Sequence, residues 1–215
     1  MSKASGPLQE SRPARAVPGL ALASASPRRL DLLRQVGLTP DRVAPADIDE
    51  TPLRDERPRQ LALRLAVQKG QAARSSNMEG YYVLSADTVV AVGRRILPKA
   101  ETEADVRACL KLLSGRKHDV LTGVAVFAPD GRMASRLVEA RVDFKRLSHE
   151  ETEGYIASGE WRGKAGGYGI QGRAGAFVVA VAGSYPAIVG LPLYETVAML
   201  EGLGYPVSRR WELPA

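Results

Sequence analysis

Apolar and polar positions change period several times along the chain, and each change marks an element. The first nineteen residues (MSKASGPLQESRPARAVPG) carry no apolar period and read as a disordered N-terminal tail. Leu20–Ala23 is a short apolar run of the kind a buried strand gives. Leu30, Leu32, Leu33 and Val36 then fall on one helical stripe. Ser26 is placed to cap that helix, Pro27 suits its first turn and Gly37 its end. A second helix is expected from Pro58 to about Arg74, with Leu61, Leu65 and Gln68/Lys69 on successive turns. Tyr81–Val92 is rich in β-branched and aromatic residues and predicts a strand, which Gly93–Arg95 turns back into Ile96–Leu97.

Thr102–Asp105 has the form of a capping box and opens a helix to about Leu113, closed by Ser114–Gly115. His118–Phe127 and Met133–Leu147 predict long strands joined by the turn Pro129–Arg132. Ser148–Glu151 is a second capping box, for a helix to about Ala157. Residues 176–182 predict a strand, and a last helix runs from near Pro192 to Gly204. Helices alternate with strands, and hairpins lie among them, which predicts an α/β fold with a mixed sheet. Residues 20–207 are expected to form one domain and 208–215 a C-terminal tail.

Composition narrows the class. Of 215 residues, 45% are hydrophobic and 25% charged, too apolar for a disordered chain, and a lone cysteine excludes a disulfide scaffold. Cys109 lies on the apolar face of its helix and reads as core; it is compatible with a reducing cytoplasm. No apolar run of about 18 residues exists, so no membrane span is expected. The N-terminal stretch lacks the apolar centre of a secretory signal, and Glu10 speaks against an organelle transit peptide. The net charge of +6 allows an anionic partner but also fits a solvated surface. Only seven of the 30 basic residues are lysines, so the lysines and the clustered arginines are the informative ones.

Four places can carry chemistry. At Ser24–Arg29 a strand, a tight loop and a helix N-terminus meet, with two serines and two arginines, Arg28 and Arg29. Backbone N–H groups and guanidinium forks there suit phosphate, although a plain Ser-Pro cap with surface arginines has the same pattern. Asp87, in Ser85–Val90, is costly in an apolar strand unless paired, and with Thr88 beside it suits a divalent cation or a water. A strand-end Asp bonded to backbone is the simpler reading of those residues. Seven glycines lie between Gly159 and Ala176, where the backbone can approach a ligand closely or form a surface loop; Trp161, Tyr168 and Ile170 argue against a floppy one. Lys69, Lys99 and Lys164 stand near these segments, and Asp47, Asp49 and Glu50 form an acidic cluster that could serve Mg²⁺ or be an ordinary acidic loop. Two distant histidines do not make a zinc pair, and few aromatics argue against a stacking platform for nucleic acid.

Taken in order, LASASPRR (22–29), DIDET (47–51), SADTVV (85–90), LPK (97–99), LLSGRKHDVLTGVAV (112–126), GKAGGYGIQG (163–172) and GSYPAIVGLPLYET (183–196) resemble the Maf family of nucleoside triphosphate pyrophosphatases. The resemblance covers about 190 residues and implies an inosine-triphosphatase-like fold with two lobes around a nucleotide-binding cleft. It implies hydrolysis of a nucleoside triphosphate to the monophosphate and pyrophosphate, with a divalent cation, Mg²⁺ or Mn²⁺. It implies Asp87 as general base, Glu50 and Asp87 as metal ligands, and Ser24, Arg28, Arg29, Lys69, Lys99 and Lys164 as phosphate-binding groups. Arg28 and Gln171 place the chain with the dTTP/UTP branch, and Thr88 is the third position linked to selectivity; a Gln amide can serve both O4 and N3–H of uracil or thymine. The alternatives are a 7-methyl-GTP or broader modified-nucleotide pyrophosphatase, or a non-catalytic nucleotide- or nucleic-acid-binding regulator. The resemblance further implies a cytoplasmic homodimer without a stable nucleic-acid partner and a link to arrest of cell division. Two departures stand out: Pro98-Lys99-Ala100 where the family often has Gly-Lys-Pro, and Gly163 where an Asp often precedes the lysine of the glycine loop.

Overall fold

The longest β-branched stretches become the longest strands. In the computed structural model, which describes residues 18–75 and 78–211, the chain runs β1 (Gly19–Leu22), α1 (Pro27–Gln35), β2 (Arg42–Val43), α2 (Pro58–Arg74), β3 (Tyr81–Val92), β4 (Arg95–Leu97) and β5 (Lys99–Ala100). It continues through α3 (Glu103–Leu113), β6 (Lys117–Phe127), β7 (Met133–Phe144), α4 (His149–Ala157), β8 (Lys164–Ala165) and a 3₁₀ turn over Arg173–Phe177. Then follow β9 (Val178–Ala182), α5 (Tyr185–Val189), α6 (Leu193–Gly202) and α7 (Val207–Trp211). The expected tail over residues 1–19 lies outside the described residues as far as residue 17, and Gly19 already belongs to β1.

One seven-stranded sheet has the order β2-β1-β3-β6-β7-β9, with β4 also on β3, and β5 and β8 pair separately. The pairs β1–β2 and β1–β3 are parallel and the others antiparallel, so the mixed sheet is as expected. Successive residues of β3 face opposite sides. Val83, Ser85, Asp87 and Val89 lie under α2, while Leu84, Ala86, Thr88 and Val90 face away from it. On that second face the core is in two parts. Leu84, Val124 and Val126 pack with Leu20, Leu33 and Leu200. Val90, Val120 and Phe144 pack with Leu110, Tyr155 and Trp161. Thr88 stands between these two cores.

Glycines let α2 lie almost on the sheet. A Cβ at Gly123 would overlap the carbonyl oxygen of Ala62, and one at Gly70 would run into the Phe127 ring and lie 2.6 Å from Ser85 Oγ. Ser85 Oγ in turn donates to the carbonyl of Ala66 at 2.7 Å. This close approach brings Lys69, next to Gly70, over Asp87.

The capping boxes form as the sequence predicts. Asp105 N donates to Thr102 Oγ1 at 3.2 Å and Thr102 N to Asp105 Oδ2 at 2.9 Å. Glu151 N donates to Ser148 Oγ at 3.2 Å and Ser148 N to Glu151 Oε2 at 3.0 Å. Gly37, at φ +67°, ends α1 with bonds from its own N–H to Arg34 O and from Leu38 N–H to Leu33 O.

Other expectations are corrected. Ser26 occupies the N-cap of α1 but makes no side-chain cap bond; Ser24 Oγ receives the Ser26 N–H instead, at 3.2 Å. Asp87 is not at a strand end but midway along β3, opposite Gly123. Strand β7 stops at Phe144, because Lys145 N turns to Phe177 O. The strand expected from residue 176 begins at Val178, since Phe177 turns inward against Phe144 and Tyr155. Helix α7 occupies the start of the expected C-terminal tail, and the half-exposed Trp211 donates its indole N–H to Val36 O at 2.6 Å. Trp161, by contrast, is buried, donates to Ile156 O at 2.8 Å and has the Arg162 guanidinium 4.6 Å above its ring.

The glycine contact under α2 is testable. Gly123→Ala is expected to cost about 1–3 kcal/mol or more through overpacking alone, because the backbone there suits any residue. Equilibrium urea unfolding checks this; an unchanged midpoint would show that α2 can lift off the sheet freely.

Candidate active site

The site follows from a gap in strand pairing. On its outer edge β3 is paired by β1 as far as Leu84, and Ala23 N still donates to Leu84 O at 2.8 Å. Pairing on that edge resumes only where β4 meets Val90. Residues 85–89 therefore have a strand neighbour only in β6. The missing length of strand is a cleft of about 350 Å³. The cleft is walled by the Ser24–Arg29 loop, residues 45–50, the glycine loop and the end of α5. Because it opens along a strand edge, side chains from both faces of β3, Asp87 and Thr88, reach it.

All ten residues named from the sequence line this cleft: Ser24, Arg28, Arg29, Glu50, Lys69, Asp87, Thr88, Lys99, Lys164 and Gln171. Asp47 and Asp49 do not. Asp49 instead receives the N–H of Thr51 at 2.9 Å. Lys69 Nζ sits between two carboxylates, 2.5 Å from Asp87 Oδ1 and 2.7 Å from Glu50 Oε1. The second oxygen of Glu50 takes Lys99. The order Asp87, Lys69, Glu50, Lys99 is thus an alternating chain of charge leading from a 4% exposed carboxylate to the surface. Glu50 is held there by its own loop: Arg64 of α2 bonds Glu56 at 2.7 Å and Thr51 O at 3.1 Å.

The phosphate-type loop is equally tied. Arg29 donates from Nη1 to Ser24 Oγ and from Nε to Gly190 O, both at 2.8 Å. Gly190, at the C-cap of α5, was not singled out from the sequence, although the motif containing it was; α5 is too short to show as a pattern, and its role here depends on a contact 161 residues away. On the far wall Lys164 donates to Glu160 O, and Glu160 is fixed by Arg173 at 2.7 Å. The glycine loop hangs on two buried rings. Gly169 N donates to Tyr155 OH at 3.2 Å, and Tyr168 OH lies 2.7 Å from His118 Nε2.

Desolvation dominates the electrostatics of Arg28, Arg29 and Lys164. Burial lowers the pKa of Arg28, Tyr155 opposing slightly. Burial also lowers that of Arg29, where Asp87 and Glu50 pull upward and Arg28 adds to the fall. Lys164 is lowered by burial and by Arg28. A guanidinium stays charged under such shifts, so the cleft holds desolvated positive charge in search of an anion. Burial pushes the Glu50 carboxyl up, but hydrogen bonds from Lys69 and Lys99 outweigh it and hold Glu50 below its usual value. Burial takes His118 down to about 4, so it is neutral near pH 7 and serves as an anchor.

No cluster of three or more His, Cys, Asp or Glu able to hold a metal occurs among the described residues. Glu50 and Asp87, however, converge on one ammonium group, which shows that the pair can share a cation. Mg²⁺ commonly binds through one or two carboxylates together with substrate phosphates and water, so the donor set fits a cation brought with a polyphosphate.

A sequence profile of the family described as Maf-like protein matches residues 19–203. The chain is 71% identical over 188 residues to a dTTP/UTP pyrophosphatase of Caulobacter vibrioides, covering 87% of this chain and 97% of that one. It is 61% identical over 197 residues to a dTTP/UTP pyrophosphatase of Mesorhizobium japonicum, covering 89% and 95%. Among solved structures, the Ham1 protein of Staphylococcus aureus aligns at 16% identity with a TM-score of 0.42, over 58% of this chain and 71% of that one.

The Glu50 pairing predicts a pH signature. Its folded pKa lies below the unfolded one, so its contribution to stability is complete above the unfolded value of 4.5 and is lost as pH falls through the folded value. The stability gap between wild type and Glu50→Gln should therefore shrink over the window in which pH falls below 4.5, in denaturant titrations. A gap that stays constant over that window would remove the ion pair.

Proposed function

The chain belongs to the Maf-like family, and from that membership we propose that it is a dTTP/UTP pyrophosphatase, a hydrolase that converts these nucleotides to the monophosphate and pyrophosphate. The observation that carries the reading is the convergence of Arg28, Arg29, Lys69, Lys99 and Lys164 with two carboxylates on one cleft. Five cations suit a triphosphate, and a water-activating carboxylate is what a mere binding protein has no use for.

In the reaction a water oxygen attacks the α-phosphorus, and the bond from that phosphorus to the α–β bridging oxygen breaks. The bridging oxygen leaves with pyrophosphate, so negative charge builds on the phosphoryl oxygens and on the leaving group. Preorganised cations at those positions lower the barrier without reorganising. Arg29 is the most rigid of them, braced at Ser24 and Gly190. Lys99 and Lys164 are freer, and each has an ordinary partner to give up when phosphate arrives. Asp87 is the group we assign as general base. It is buried, reaches the cleft from the middle of a strand, and is oriented by Lys69. Glu50 and Asp87 would hold a divalent cation, Mg²⁺ or Mn²⁺, which when bound supplies charge neutralisation at the phosphates. Ser24 and Arg28 complete the phosphate loop, and Thr88 and Gln171 are assigned to the nucleoside.

On the same membership we read the protein as a cytoplasmic homodimer whose anionic partner is a small nucleotide and not nucleic acid. No helix among the described residues is long and apolar enough to cross a membrane.

Purified protein with Mg²⁺ and a panel of nucleotides tests the reading. Pyrophosphate release is expected from dTTP and UTP; release from 7-methyl-GTP alone would overturn the choice of substrate. Asp87→Asn should lower kcat at least about a hundredfold while nucleotide still binds. A variant with the wild-type rate would take Asp87 out of the reaction.

A further inference from the structure

Thr88 stands at the junction of the two cores and lines the cleft; a Cβ on Gly190, which lines it too, would lie 3.7 Å from Thr88 Oγ1, and the proton of that hydroxyl can be placed by counting. The hydroxyls of Thr88 and Thr122 are 3.0 Å apart, and by distance alone either could donate. Thr122 Oγ1 is also 2.8 Å from the carbonyl oxygen of Ala187 in α5. A carbonyl oxygen only accepts, so the single proton of Thr122 is committed to Ala187. Thr122 is fully buried and has no water to turn to. The contact between the two threonines then requires Thr88 to donate. Its one proton points inward, away from the cleft.

We propose that Thr122 is a positioning residue that fixes the Thr88 hydroxyl as a hydrogen-bond acceptor towards the cleft, so that this point takes a donor group of the nucleoside and no phosphate oxygen. The inference rests on the pyrophosphatase reading for the identity of the ligand and on proton accounting for its polarity. An ionised phosphate offers only lone pairs, and set against the lone pairs of Thr88 it would leave both unsatisfied. The triphosphate therefore lies towards the cationic walls. Two donors exist on dTTP outside its phosphates, the imide N–H of the base and the 3′-hydroxyl of the sugar, and Thr88 takes one of them. Val90 on the same face of β3, with Val120 and Ile188 across from it, gives this part of the cleft the apolar walls that a nucleoside needs. The relay also makes the fit of the nucleoside depend on α5, which sets both the Ala187 carbonyl and, through Gly190, the brace on Arg29.

The test compares kcat/KM for dTTP, N3-methyl-dTTP and 3′-deoxy-dTTP in the wild type, Thr122→Val, Thr122→Ser and Thr88→Val. In the wild type the analogue missing the donor that Thr88 takes should lose at least about tenfold, whatever N3-methylation also costs at Gln171. That penalty should largely vanish in Thr122→Val, whose Thr88 proton is free to turn outward, and in Thr88→Val, while Thr122→Ser keeps it. The analogue whose penalty vanishes in the valine variants identifies the base or the sugar as the source of the donor. A penalty for neither analogue, or no penalty that falls in both valine variants, overturns the proposal. Should Thr122→Val fail to fold, Thr88→Val against Thr122→Ser still tests whether Thr88 is the acceptor, and the NMR measurement below tests the relay itself. If the wild type turns over neither dTTP nor UTP, it is the pyrophosphatase reading that fails. The polarity is then read in the free protein by NMR: an NOE from the Thr88 hydroxyl proton to the Thr122 side chain is expected, and its absence overturns the relay.

Discussion

Lys69 and Asp87 carry opposite charges at a place where water scarcely reaches, and the rest of the site is arranged around keeping them there. Taking an ion out of water costs several kcal/mol, and a buried pair seldom recovers all of it. A hydrophobic pair in such a place is often as stable or more so. The structure limits the cost of the charges by alternation: Asp87, Lys69, Glu50 and Lys99 form a line in which each charge touches its opposite. The line needs α2 within reach of the sheet, hence the bare backbone at Gly70 and Gly123. It needs the loop around Glu50 held down, hence Arg64 on Glu56 and Thr51. It needs an opening on the strand edge, hence the interval between β1 and β4.

Much of this was legible in the sequence, and the reasons are physical. Long strands, long helices and both capping boxes are local events, set by side-chain periodicity and by bonds three residues apart, so they could be read directly. The ten cleft residues were legible through ordered motifs, not through chemistry at any single position. What escaped reading depends on distant partners. Ser24, not Ser26, receives the amide at the start of α1, because Arg29 is braced from Gly190 and holds Ser24 in place. Asp87 looked like a strand end because polar residues usually sit there; the helix above it supplies the counter-charge that lets it stand in mid-strand. Helices α5 and α7 are five residues each and leave no periodic trace. The acidic cluster was read as a unit, yet only Glu50 turns inward, since Asp49 is consumed by its own loop.

The two tryptophans divide the molecule in a way that experiment can use. Trp161 is sealed in the core beside the glycine loop, whereas Trp211 lies in water against the end of α1, the helix whose other end carries Arg28 and Arg29. Their surroundings differ enough that indole emission from the first should be blue-shifted relative to the second. Neither indole lines the cleft, but each adjoins an element that does. Replacing either leaves a single-colour report on the surroundings of the other without any attached dye.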